Sequence, residues 1–165
     1  MLNKHFVWLV LIFFIVTVSC NRNRIFEKNV KMKNRVWSIH EPVIFQFSIE
    51  DIHFSYDFYF NLRNSILYPY QNIYLNYSLM DTLGNTYKDD LVNIKLFDSK
   101  TGEPLGDGLG DIFDHQYRVI DGYLFNNPGV YQMKINHYMR PDSLPEIMAV
   151  GIRIERKEED GTDKN

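Results

Sequence analysis

From Trp37 onward, apolar and polar positions alternate with a period of two. Val43, Phe45, Phe47 and Ile49 alternate with Ile44, Gln46, Ser48 and Glu50. Tyr56, Phe58, Phe60 and Leu62 alternate with Asp57, Tyr59, Asn61 and Arg63. Ile73, Leu75, Tyr77 and Leu79 alternate with Tyr74, Asn76, Ser78 and Met80. Successive side chains of a strand point to opposite faces, so each run predicts a half-buried antiparallel strand. Further strands are predicted near Leu91–Phe97, where Val92, Ile94 and Leu96 share a face, and near Tyr117–Phe125, broken at Asp121-Gly122. Val130–His137, with Tyr131, Met133, Ile135 and His137 on one side, and a last strand carrying Met148, Val150, Ile152 and Ile154 complete the set. Gly84-Asn85 and Asn126-Asn127-Pro128-Gly129 supply turns, while the glycine-rich 98–110 and the proline-bearing 140–146 read as loops.

About seven or eight short strands, with turn signals every 8–12 residues or so, predict an all-β fold: a single β-sandwich, Ig-like or jelly-roll-like, over residues 37–156. Composition agrees. The chain has 12 Phe and 11 Tyr, and its one alanine is Ala149, so strand formers prevail over helix formers. The charged segment 157–165 reads as a disordered tail.

The N-terminus follows a different rule. Phe6–Val18 is apolar over 13 residues, preceded by Lys4 and His5 and followed by Ser19-Cys20. A bilayer-spanning helix needs about 20 apolar residues, whereas a secretory core needs about 7–15. Residues 1–19 therefore read as a lipoprotein signal peptide. Thr17-Val18-Ser19 before Cys20 resembles a bacterial lipobox, although leucine is usual where Thr17 stands. Cys20 is the chain's one cysteine, and its acylation accounts for both its number and its place. The expected partner is thus a lipid bilayer, reached through acylated Cys20. Residues 20–36, polar and basic, read as the lipidated N-terminus and a tether. A net charge of −3 gives no basic footprint for nucleic acid, which is excluded as a partner.

Candidate chemistry is sparse. In Gly106–His115 (GDGLGDIFDH), Gly106, Gly108 and Gly110 lack the spacing and strand-to-helix context of a phosphate loop. Asp107, Asp111, Asp114 and His115 lack the spacing of a calcium loop. The preferred reading is a turn whose glycines permit positive φ. His40, His53, His115 and His137 form no HxH or HxxxH pair, and no GxSxG motif marks a nucleophile. No catalytic residue, metal site or cofactor is assigned. Tyr68, Tyr70 and Tyr74 around Pro69 read as an aromatic partner-binding edge, because proline interrupts strand pairing. Asp81-Thr82-Leu83 and Asp142-Ser143-Leu144 resemble an Asp-Ser/Thr-aliphatic O-glycosylation signal, which marks Thr82 and Ser143.

A lipobox cysteine, FNLRNSILYPYQNIYL (Phe60–Leu75), GLGDI (Gly108–Ile112), GVYQMKINHYMR and LPEIMAVGIRIER together resemble the GldH family of gliding-motility lipoproteins from Bacteroidetes. The resemblance covers roughly residues 37–156. It implies a non-enzymatic envelope adaptor that works with other lipoproteins of the gliding and type IX secretion machinery, and it brings no catalytic residues. The alternative is a glycan-binding module, or an envelope hydrolase using Asp107, Asp111 or His115. Asn21-Arg22-Asn23-Arg24 is basic where surface-exported Bacteroidetes lipoproteins carry an acidic stretch, and no Asp directly follows Cys20. The expected location is the periplasmic face of the outer membrane. Replacing Cys20 with Ala should abolish labelling by a clickable palmitate analogue, and undiminished labelling would refute acylation at this residue.

Overall fold

Burial follows the predicted alternation along the third strand of the chain. In Val43–Ile49 the four residues at odd positions are buried and the three between them are exposed. The computed structural model describes residues 23–157. In chain order the strands are β1 (Arg24–Lys31), β2 (Val36–Ser38), β3 (Val43–Ile49), β4 (Ser55–Ser65), β5 (Asn72–Asp81) and β6 (Thr86–Lys95). They continue with β7 (Asp107–Leu109), β8 (Ile112–Leu124), β9 (Gly129–His137), β10 (Ser143–Pro145) and β11 (Ile147–Arg156). A 3-10 turn over Lys33–Arg35 links β1 to β2.

Two antiparallel sheets face each other, which gives the expected all-β sandwich. One runs β1-β11-β4-β8-β7 and the other β3-β9-β5-β6, with β2 and β10 paired as a small ribbon. Aromatic side chains fill the space between the sheets. Phe60 of one meets Tyr77 of the other edge-on at 5.3 Å, and Phe47 meets Phe58 at 5.7 Å. Phe125, just past β8, lies 4.5 Å from Tyr131 and 5.8 Å from Tyr56. Edge-on rings add about 0.5–1.5 kcal/mol each beyond the area they bury.

Register defines two ends. At the entry end, Arg24 pairs with Glu155, Arg156 with Tyr56 and Ser55 with Leu124. In the second sheet Ile49 pairs with Gly129, and Asp81 with Tyr131. The connections 50–54 and 125–128 run between the sheets there, and 82–85 closes the β5–β6 hairpin. The far end carries the 3-10 turn, the β2–β10 ribbon, the β4–β5 connection and the β7–β8 hairpin.

The structure corrects the expected tether over 20–36. Residues 24–31 form β1, an edge strand paired along β11, so the domain begins well before Trp37. An edge strand of a sandwich buries only part of one face, so RIFEKNVK shows no clean alternation, and its register shifts between Arg24 and Phe26. Phe26 still reaches across to Phe47, at 6.0 Å. Gly151 of β11 permits the pairing: a Cβ there would come within 2.6 Å of the Lys28 carbonyl oxygen and collide with the Asn29 side chain. The stretches expected as loops at 98–110 and 140–146 contain the three-residue strands β7 and β10, both too short for periodicity to reveal. Lys157, the first residue of the expected tail, donates its backbone N–H to Ser55 and its ammonium bonds Asp121 at 2.7 Å. Residues 158–165 lie outside the described residues.

Two histidines belong to the interior. His137 meets the buried Trp37 edge-on at 5.4 Å, and His115 stacks on Tyr117 at 6.3 Å. Burial pulls both below the ordinary 6.5; Asp114 and Asp107 oppose this at His115, and the backbone groups of Asp142 and Trp37 at His137. The fold thus favours the neutral form of both imidazoles, which bind protons more readily once unfolded. Their contribution to stability is complete above pH 6.5 and is lost as the pH falls toward the depressed folded values. Chemical denaturation should therefore show unfolding free energy declining as the pH falls below about 6.5. His115→Gln and His137→Gln should each flatten that limb, and an unchanged slope in both would refute the assignment.

Candidate functional site

The hairpin at Gly106–His115 is held by its own packing. A Cβ on Gly106 would stand 2.5 Å from the Asp114 carbonyl oxygen and 2.7 Å from the His115 ring, and one on Gly108 would collide with Phe113. Only Gly110 of the three has positive φ, 67°, in the turn between β7 and β8. Close approach, more than the expected positive φ, explains two of the three glycines. The alternation of β8 separates its acid from its base. Asp114 is exposed and grips Arg63 through two 2.7 Å bonds, whereas both His115 nitrogens are covered and have no hydrogen-bond partner. That fork keeps Arg63 charged even more firmly than usual. Asp111 accepts the Ile66 N–H at its carbonyl oxygen, 2.8 Å. Asp107 and Asp114 border a groove of about 660 Å³ with Lys31, Arg35, Asn61 and Gln116. Within that lining Arg63 and Asp114 pair across β4 and β8. Among the described residues no group of three or more His, Cys, Asp or Glu is placed to hold a metal ion.

The tyrosine cluster differs from the expected binding edge. Strand β5 is paired on both sides, to β6 and β9, so Tyr74 lies within a sheet, and Pro69 lies in the β4–β5 connection. Tyr68 is buried in the core, and its hydroxyl donates to the Asn72 carbonyl oxygen at 3.2 Å. Burial pushes its phenol far above the ordinary range. Pro69 therefore interrupts the chain to turn it, with Tyr68 as the plug beneath the turn.

Tyr70 and Tyr74, by contrast, are exposed. With Leu91, Tyr138, Met139, Arg140 and Pro141 they line an apolar groove of about 500 Å³ at the far end. The Tyr138 N–H donates to the Tyr74 carbonyl oxygen at 2.7 Å, which extends β9 alongside β5 and brings Tyr138 and Met139 to the groove. Asn72 and Asn93 bond each other at 2.6 Å beside Tyr74. Sequence reasoning missed Leu91, Tyr138, Met139 and Pro141. The available signal was Tyr138-Met139 directly after the buried His137, a large apolar pair where the strand pattern stops. Thr82 and Ser143 are both exposed, at opposite ends of the sandwich. Cys20 lies outside the described residues.

Comparison with known proteins bears on the whole sandwich. The family described as GldH lipoprotein matches residues 24–154, which begin at β1. The chain is 26% identical over 161 residues to "Gliding motility lipoprotein GldH homolog" of Christiangramia forsetii, covering 92% of this chain and 96% of that one. It is also 26% identical over 151 residues to "Gliding motility lipoprotein GldH" of Flavobacterium johnsoniae, covering 87% and 92%. Among solved structures, that of infectious bursal disease virus Gx strain aligns at a TM-score of 0.32 and 10% identity, over 85% of this chain and 31% of that one. A match that runs from the first residue of β1 nearly to the end of β11 spans every strand of the fold, and the chain belongs to the GldH lipoprotein family.

Proposed function

We propose that the protein is a non-enzymatic adaptor of the gliding and type IX secretion apparatus, anchored through acylated Cys20 on the periplasmic face of the outer membrane. It docks other envelope lipoproteins through the far-end groove. The observation that carries this reading is the groove itself: three tyrosines and a leucine left exposed beside one another, with Met139 half-buried between them and the core. Rigid aromatic rings supply large contact area at little entropic cost, and such residues dominate binding hot spots. The opposing reading, a glycan-binding module, is supported by the Asn72–Asn93 amides next to Tyr74, which offer hydrogen bonds to sugar hydroxyls. Against the hydrolase reading stand the covered nitrogens of His115 and the pairing of the neighbouring Asp114 carboxylate with Arg63.

Chemical crosslinking in native membranes separates these readings. Tyr70→Ser, Tyr74→Ser and Tyr138→Ser should each change stability by about 0.5 kcal/mol or less. Combined, they should cut crosslinking to partner lipoproteins at least about tenfold. Tyr68→Ser should instead cost about 3–5 kcal/mol, as expected for a truncated core ring. Undiminished crosslinking by the folded triple variant would refute the docking site, and glycan-array binding without protein crosslinks would favour the second reading.

A further inference from the structure

Both ends of the sandwich expose apolar side chains. At the far end Leu67 is 72% exposed and Leu109 94%. At the entry end Leu83 is 87% exposed and Leu124 62%, with Phe54 and Val130 partly exposed near them. Exposed apolar area alone does not say which end meets which surface. Chain length does. Strand β1 starts at Arg24, so only residues 21–23 separate it from Cys20. Fully extended, that link spans about 14 Å at most. Strand β4, 11 residues long, runs about 36 Å from the entry end toward the far end.

We infer that the entry end rests directly on the bilayer, with Leu83 and Leu124 in the interfacial layer as a second contact beside the lipid on Cys20. The inference rests on the acylation proposed above. The broad faces of the sandwich make poorer membrane contacts, because bonded polar side chains cover their middle and the apolar groove beside Tyr74 lies toward the far end. Asn61 and Gln116 bond across one sheet, and Asn76 and Ser78 bond Asp89 on the other. Around the entry end, Tyr87 is exposed and the Arg156 guanidinium lies 4.8 Å above the Phe54 ring. A tyrosine, with its apolar body and polar tip, and an arginine on an apolar stem both suit the boundary between acyl chains and water. Glu50 and Asp51 stand at the same end, so the contact is apolar and does not depend on anionic lipid. It therefore suits a zwitterionic surface and resists added salt. Docked this way, the protein turns the tyrosine groove away from the membrane, within reach of other envelope proteins.

The test uses the full acylated chain, whose native cysteine is occupied by lipid and leaves introduced thiols free for a polarity-sensitive dye. Leu83→Cys, Leu124→Cys, Leu67→Cys and Leu109→Cys are labelled singly and bound to phosphatidylcholine–phosphatidylethanolamine vesicles carrying headgroup nitroxides. The expected result is loss of fluorescence and a blue shift at positions 83 and 124, unaltered by high salt, with neither change at 67 and 109. Protein that floats with the vesicles yet shows no more quenching at 83 and 124 than at 67 and 109 overturns the orientation alone. Protein that does not float overturns both the anchor and the orientation.

Discussion

The pairing of β1 with β11 is the constraint on which the rest depends. It turns a polar N-terminal segment into the outer strand of a five-stranded sheet and brings residue 24 to the edge of the sandwich. Gly151 makes the pairing possible, because any side chain there would collide with Lys28 and Asn29. The same bare position lets side chains bond over the top of β11. Gln116 of β8 donates to Asn61 of β4 at 2.9 Å, and Asn61 donates to Glu27 of β1 at 3.1 Å. Arg24 completes the chain by pairing with Glu27. Two inner strands, β8 and β4, are thus tied across β11 to the edge strand by polar groups near the surface, each worth little alone. Burial of Val150, Ile152 and Ile154 below β11 supplies the larger part of the stabilisation.

From that constraint follows a molecule with two unlike ends. The chain enters and leaves at one end, with β1 starting and β11 finishing side by side. Trp37 and Leu144, both fully buried, seal the other end under the β2–β10 ribbon, where the Trp37 indole donates to the Glu41 carbonyl oxygen at 3.1 Å. The far-end groove is therefore built on a closed, well-packed base. A docking surface on such a base loses little entropy on binding, as preorganised contacts do. This division, with the N-terminal link at one end and an exposed apolar groove at the other, is the arrangement that the proposed adaptor requires.

The central strands were legible because each buries one whole face. β3, β5 and β9 put Phe45, Leu75 and Met133 where alternation places them, and the aromatic-rich composition pointed to a sandwich. Elements that bury little were not legible. β1 is an edge strand with a register shift, and β2, β7 and β10 have only three residues each. Tyr68 shows the converse difficulty. A tyrosine beside a proline reads as surface, but its burial depends on the β4–β5 connection folding back over the core, a non-local fact. The groove was half legible: Tyr70 and Tyr74 stood out, whereas Tyr138 and Met139 join them only through the bond between β5 and the end of β9.

Hydrogen exchange of the backbone amides in β1, measured on the full chain, tests the central claim most directly. Amides of Arg24–Lys31 that face β11 should be protected, alternating with free ones along the strand, and should open together with the matching amides of β11. Exchange of all β1 amides at the rate of an unstructured peptide, while β11 stays protected, would contradict the account. It would restore a free tether and remove the reason for one end of the sandwich to face the membrane.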